Sequence, residues 1–290
     1  MIKLLALDLD GTLLDSRGSL SEVNRDAIRK AEDAGVLVTI ATGRRFRDAR
    51  QLALELDLNA PLITHNGALV KYADSLETIS ASLINLETTQ EIVRVGKQFG
   101  GDALVSTDPD GDGTMLYDRV SDDNLPLKKY LRWSEGLHGV EIGRQGVRHV
   151  ASLEDELPQH DVIHISFSGS CDSMASMLVY LETELGDSVT ILPTIYPHMD
   201  FTLIDILPPG TTKGTGVETL ASLNGLGATN VMAMGDNFND LGMLEYAGTP
   251  VVMGNADADL LERAEFHKTV SNDEGGVAAA IERFILNQEN

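Results

Sequence analysis

Five short apolar runs, Leu4–Leu9, Val36–Ala41, Pro61–Thr64, Val231–Met234 and Pro250–Met253, each end in polar or glycine-containing sequence. Each is almost continuously apolar rather than alternating, as in strands covered on both faces of a parallel sheet. Between them, apolar positions recur at helical spacing over Ser21–Ala34, Arg47–Leu56, Thr215–Leu223 and Leu241–Tyr246, with Ser21 placed to cap the first helix. Strand-helix alternation of this kind predicts an α/β fold with a doubly wound, parallel, Rossmann-like core. Ligands in such sheets sit beyond the carboxyl ends of the strands, so the residues just after each strand are the place to seek chemistry.

The middle of the chain has a different rhythm. It reads as helix Thr88–Phe99, strands Ala103–Ser106 and Thr114–Tyr117, helix Leu127–Leu137, strand Val162–Ser168, helix Asp172–Leu185, and one or two strands up to Ile206. Strands joined by a short turn imply a mixed or antiparallel sheet, here expected to carry helices on one face. The organisation expected is a core formed by residues 1–82 and 207–290, interrupted by an inserted α/β domain at 83–206. Trp133 and the Met174-Met177-Leu178-Leu181 stripe are read as core.

Composition narrows the function classes. At 290 residues the chain is long enough for two domains with cores that need no disulfide or structural metal. Its 22 basic against 45 acidic residues give a net charge of -23, a field that repels phosphate backbones. The longest basic clusters are the pairs Arg44-Arg45 and Lys128-Lys129, so no nucleic-acid partner is expected. Asp8 and Asp10 interrupt the apolar start, which argues against an export or membrane segment. A lone Cys171 excludes an intrachain disulfide and fits a reducing, cytoplasmic location. Nothing in the pattern sets the oligomeric state.

Four strand ends carry candidate chemistry. The first run leads into Asp8-Leu9-Asp10-Gly11-Thr12, where carboxylates at i and i+2 of a strand would share a side. Adjacent carboxylates repel unless a cation or proton intervenes. A plain Asp-Gly turn would account for Asp10-Gly11 but not for Asp8 inside an apolar run. The second run ends Thr42-Gly43-Arg44, a hydroxyl and a glycine amide that can hold an anion, with Arg44 adding charge. Lys213 precedes a predicted helix, where an anion is welcome. Val231–Met234 leads into Gly235-Asp236-Asn237-Phe238-Asn239-Asp240, an oxygen-rich cluster suited to Mg²⁺, with Asp236 and Asp240 able to share a face as the next helix begins.

The order and spacing of these pieces resemble the haloacid-dehalogenase superfamily of phosphohydrolases. His65-Asn66-Gly67-Ala68, Met253-Gly254-Asn255-Ala256 and Ser271-Asn272-Asp273-Glu274-Gly275-Gly276-Val277 are similar to its Cof-type subgroup. The resemblance implies that Asp8 is the nucleophile and Asp10 the general acid and base. Mg²⁺ would be held by Asp8, the Asp10 carbonyl and Asp236, with Asp240 and Asn239 orienting ligands. Thr42 and Lys213 would hold the phosphoryl oxygens, and Gly43, Arg44 and Asn66 line the same phosphate site. The expected partner is a small phosphorylated metabolite, and the inserted domain is expected to act as a lid. A sugar phosphomutase, or a metal- or metabolite-binding module without activity, are the alternatives.

Other signals are weaker. Asp108–Thr114 has the first half of a calcium loop, but Arg119 stands where a bidentate Glu is needed, which favours a solvated hairpin loop. Gly225-Leu226-Gly227 leads into a strand, the wrong context for a dinucleotide fingerprint. His65, which follows a strand end, is either a substrate contact or a bystander on its loop, and Arg45, His198 and Asp200 are cap or rim candidates for substrate contact.

Overall fold

Leu4–Leu7 is the second strand from one edge of a five-stranded parallel sheet, in the order His267–Lys268, Thr249–Val252, Val231–Gly235, Leu4–Leu7, Leu37–Ile40. In this computed structural model residues 1–138 and 146–287 are described. Contacts divide the chain into two units, Met1–Ser80 with Thr211–Asn290, and Ala81–Gly210.

In the first unit, Leu4–Leu7 is fully buried, with Leu4 and Ala6 packed in one apolar cluster. Burial on both faces is why the run does not alternate. The chain leaves Leu4–Leu7 for a neighbour on one side, Leu37–Ile40, and later returns to the other side as Val231–Gly235. The strand order therefore reverses there, and the carboxyl ends of Leu4–Leu7 and Val231–Gly235 flank the crevice where such sheets bind ligands. Helix Glu22–Asp33 starts at Ser21, whose side chain accepts from the Asn24 amide.

One predicted strand lies elsewhere. Leu62–Thr64 pairs antiparallel with Leu69–Lys71, and with Thr78–Ala81 these make a separate three-stranded sheet. It meets the parallel sheet through a single bridge between Ala41 and Ile63. The intervening His65–Gly67 turn has positive φ at all three residues, a conformation that the Asn66-Gly67 pair, a usual hairpin signal, accommodates.

The second unit is a six-stranded sheet in the order Thr190–Tyr196, Phe201–Leu207, Val162–Gly169, Asp102–Thr107, Thr114–Tyr117, Val147–His149. Its pairs are antiparallel except the last. Helices cover both faces, not one. Ala103, Val105 and Leu116 pack with Ile92, Met174, Met177 and Leu181 from Leu86–Gln98 and Cys171–Leu185. Leu104 and Met115, one residue out of phase, pack with Leu127 and Leu131 of Leu125–His138. Sheet alternation thus demands a helix on each side. The methionine stripe is core, but Trp133 is 44% exposed, because the buried stripe of its helix runs through Leu127, Leu131 and Ser134.

The Asp108 loop is a hairpin turn. Asp108 takes positive φ, and its carboxylate accepts the amides of Gly111 at 3.0 Å and Gly113 at 3.3 Å. Among the described residues no helix is long and apolar enough to cross a membrane.

Candidate active site

Register assembles the site. Leu7 lies opposite Met234, and the Asp8 amide extends that ladder to the Met234 carbonyl at 3.0 Å. Asp8 and Asp236 therefore emerge side by side at the end of adjacent strands. Asp240 follows through the short turn Phe238–Asp240 and folds back, its Oδ2 accepting the amides of Asp236 at 2.9 Å and Asn237 at 3.0 Å. A side chain on Gly235 would collide with Asp240, so this return path needs a glycine. Among the described residues, Asp8, Asp236 and Asp240 are the acidic group that can each offer one carboxylate oxygen within 4.8 Å of the others.

Lys213 enters this group from the first turn of helix Lys213–Leu223. The helix begins two residues earlier than its apolar pattern suggests, because Thr212 and Thr215 form a reciprocal capping box that outweighs the poor helix formers Gly214 and Gly216. Those glycines have a packing reason: a Cβ on Gly214 would meet the Gly242 carbonyl, and one on Gly216 would meet Ile63. Lys213 is 1% exposed, and its Nζ donates to Asp8 Oδ1 at 2.5 Å and Asp240 Oδ1 at 2.5 Å.

The electrostatics follow from burial. Desolvation and the neighbouring Asp240 hold the Asp8 carboxyl well above its usual range, although Lys213 pulls the other way. Desolvation, with Asp240 beside it, pushes Asp236 up to about 6. Burial works to lower the Lys213 pKa, but Asp240 and Asp8 more than reverse this and lock the ammonium in its charged form. Two buried carboxylates and a half-buried one facing one ammonium leave an excess of negative charge.

The sequence-predicted residues fall into two groups. Asp8, Asp236, Asp240 and Lys213 come together. Asp10 does not join them: the strand ends at Leu7, so the i, i+2 relation is lost, and its carboxylate pairs with Arg44 at 2.8 Å and 2.5 Å. Arg44 is thus engaged with Asp10 rather than pointing freely at an anion. Thr42 is buried, and its hydroxyl accepts the Arg44 amide at 3.1 Å. Gly43 lies against the Asn66 amide group, and the buried Asn66 Oδ1 has no hydrogen-bond partner. Asn239 is half-buried in the turn before Asp240. His65 is buried with its Nε2 accepting the Phe46 amide, and Arg45 is buried in a two-point pair with Asp48. His198 and Asp200 lie in the second unit, where Asp200 accepts the Cys171 amide.

Two contacts were not foreseen from sequence. Thr12 Oγ1 donates to Asp236 Oδ1 at 2.9 Å, and Gly11 sits so close to the Asp236 carboxylate that a Cβ would overlap it. The Asp-Gly-Thr pattern held the signal; what it lacked was the identity of the partner strand.

A family model described as haloacid dehalogenase-like hydrolase matches residues 5–281. The chain belongs to that family. This haloacid dehalogenase-like hydrolase is 29% identical to the 5-amino-6-(5-phospho-D-ribitylamino)uracil phosphatase YwtE of Bacillus subtilis, over 99% of each protein. It is 31% identical to the HMP-PP phosphatase of Cronobacter sakazakii, over 90% of this chain and 87% of that one. A haloacid dehalogenase-like hydrolase from Bacteroides thetaiotaomicron shares its fold, with a TM-score of 0.81 at 24% identity, covering 98% of this chain and 100% of the other. Named phosphatases along the full chain, within a family of hydrolases, make this member a phosphoric monoester hydrolase.

Proposed function

We propose that this hydrolase is a Mg²⁺-dependent phosphatase of small phosphorylated metabolites that works through an aspartyl-phosphate on Asp8. The observation that carries the reading is the cluster of buried Asp8 and Asp240, both paired with Lys213, and half-buried Asp236. The set fits the ion: its donors are all hard oxygens, and its uncompensated negative charge calls for a divalent cation. Asp240 has both oxygens engaged by Lys213 and two backbone amides, so it anchors the site, while Asp8 and Asp236 would hold the metal. Bound there, Mg²⁺ would offset charge on the phosphoryl oxygens.

The remaining chemistry belongs to the chain. An Asp8 carboxylate oxygen attacks phosphorus, the ester P–O bond breaks, and the leaving oxygen takes a proton from Asp10. Water then attacks the phosphoryl group, gives its proton to Asp10, and the bond to Asp8 breaks. Asp10 can donate a proton only after Arg44 releases its carboxylate, and a phosphate dianion offers Arg44 a competing partner. Lys213 keeps Asp8 oriented and stabilises charge in the transition state. The Thr42 hydroxyl, Gly43 and Asn66 supply the phosphate-facing wall. The relatives named for HMP-PP, pyridoxal phosphate and the ribitylaminouracil phosphate support small metabolites as substrates. The lone Cys171 supports a cytoplasmic setting.

The test is release of inorganic phosphate from a panel of phosphorylated metabolites in the presence of Mg²⁺, with Asp8→Asn as the control. Release by Asp8→Asn at the wild-type rate would sink the reading, as would transfer between sugar hydroxyls without release.

A further inference from the structure

Three asparagines from separate parts of the first unit meet on the turn that follows the first strand. Asn255, in the loop after Thr249–Val252, donates from Nδ2 to the Gly11 carbonyl at 2.8 Å. Asn24, on helix Glu22–Asp33, donates to the Leu13 carbonyl at 3.3 Å. Asn272, in the turn after His267–Lys268, donates to the Leu14 carbonyl at 2.8 Å. The turn's own bonds, Leu13 amide to Asp8 carbonyl at 3.3 Å and Leu14 amide to Leu9 carbonyl at 2.9 Å, use only part of its backbone capacity.

Two of the amide groups are themselves held in orientation. Asn255 Oδ1 accepts the Asn272 backbone amide at 2.9 Å, which aims its Nδ2 at Gly11. Asn24 Oδ1 accepts the Ala278 amide at 3.1 Å. An asparagine suits each position because it offers an acceptor and a donor on one short, planar group. On the other side of the same turn, Thr12 bonds to Asp236. The segment is therefore fixed against the downstream strands on one side and against the acidic group on the other.

We infer that Asn24, Asn255 and Asn272 are positioning residues, a clamp on the carbonyls of Gly11, Leu13 and Leu14 that sets where Asp10 and Thr12 stand relative to Asp8 and Asp236. The catalytic consequence rests on the phosphatase reading above; the clamp itself does not. None of the three needs to touch substrate. Loosening the turn misplaces the proton donor while leaving the phosphate wall at Thr42 and Asn66 in place, so turnover suffers more than binding.

The experiment compares wild type with Asn255→Ala, Asn255→Asp and Asn272→Ala. Two quantities are read: backbone amide exchange over residues 8–16, and kcat and KM for phosphate release. Asn255→Asp keeps the acceptor for the Asn272 amide but, ionised, has no donor for Gly11. The expected result for both Asn255 variants is about tenfold faster exchange in the turn, with kcat lower by about tenfold and KM within about twofold. Asn272→Ala, which loses only the Leu14 contact, shows the same pattern and confirms that the effect is not special to one position. Unchanged exchange in the Asn255 variants overturns the clamp, as does an Asn255→Asp protein that behaves like wild type. Faster exchange with undiminished kcat overturns its positioning role. If wild type releases no phosphate from any substrate, the phosphatase reading fails and amide exchange alone decides the clamp.

Discussion

Replacing Lys213 by Met removes the one cation in the buried acidic group and leaves a side chain of similar length. In the wild type its Nζ is 2.5 Å from both Asp8 and Asp240, and it is 1% exposed, so no water can take its place without rearrangement. Breaking a buried pair in this way typically costs about 3–5 kcal/mol. The full cost need not appear as lost stability, because a stranded carboxylate escapes by taking up a proton. Asp8 is the candidate for this, since burial and Asp240 already hold its carboxyl well above the ordinary range, and Lys213 is the group opposing them. A protonated Asp8 cannot attack phosphorus. The variant should therefore lose about 10²–10³ in kcat/KM at neutral pH, the scale of removing one transition-state donor. The acid limb of its pH–rate profile should also move to higher pH, with part of the activity returning in alkaline buffer. A lysine serving only as a phosphate clamp would produce the loss without the displaced limb. Phosphate release measured across the pH range at low and saturating Mg²⁺ separates the two, since the ion offsets part of the missing charge and the displacement should be larger at low Mg²⁺. A Lys213→Met enzyme within tenfold of wild type at neutral pH, or one with an unmoved profile, refutes the argument.

Asp8→Asn should abolish turnover yet melt, free of metal, at or above the wild-type temperature, because it removes a carboxylate whose charged form burial disfavours; a clearly lower melting temperature contradicts this. Asp236 is pushed up to about 6 in the folded protein against 3.8 for the free group. Between those values the folded state binds the extra proton, so this group makes the metal-free protein less stable as pH rises through that window. Mg²⁺ needs the ionised form, so it should raise the melting temperature at about pH 7.5 and far less at about pH 5, and equal increments at both would be the refuting result. Gly18 and Gly11 have φ near one another, +75° and +85°, but Gly18 has open space where a Cβ would go and Gly11 has the Asp236 carboxylate. Gly18→Ala should cost about 1 kcal/mol in denaturant melts, the backbone penalty alone. Gly11→Ala should cost more and also lose Mg²⁺ binding; similar losses for the two would show that the close approach to Asp236 does not matter.

How far the sequence could be read depended on whether the deciding interaction was local. Ser21 announced its helix because an N-cap bonds three residues away, and the Leu4–Leu7 and Val231–Met234 stretches announced strands because burial on both faces leaves no polar positions. The start of helix Lys213–Leu223 was misplaced for a related reason: the apolar pattern is set by packing, whereas the boundary is set by the Thr212–Thr215 box, and Gly214 and Gly216 serve neighbouring elements rather than their own helix. Residue type alone assigns Trp133 to the core, yet the phase of Leu127 and Leu131 along the same helix leaves it outside.

The candidate site shows the same division. Its residues were recognisable as types at strand ends, but their grouping was not, because that depends on which strands are neighbours. The pairing of Leu7 with Met234 sets Asp8 beside Asp236, and the end of the strand at Leu7 turns Asp10 toward Arg44 instead. A two-residue spacing predicts a shared face only while the backbone stays extended. Once the chain turns at Gly11, the separation of the two carboxylates depends on the turn's geometry. That geometry is held by Thr12 and by Asn24, Asn255 and Asn272, from three distant stretches of sequence. Under the proposed mechanism two carboxylates with unlike tasks gain from this arrangement: Asp8, the proposed nucleophile, is enclosed with a lysine, while Asp10, the proposed proton carrier, stands at the exposed edge where its partner can be exchanged.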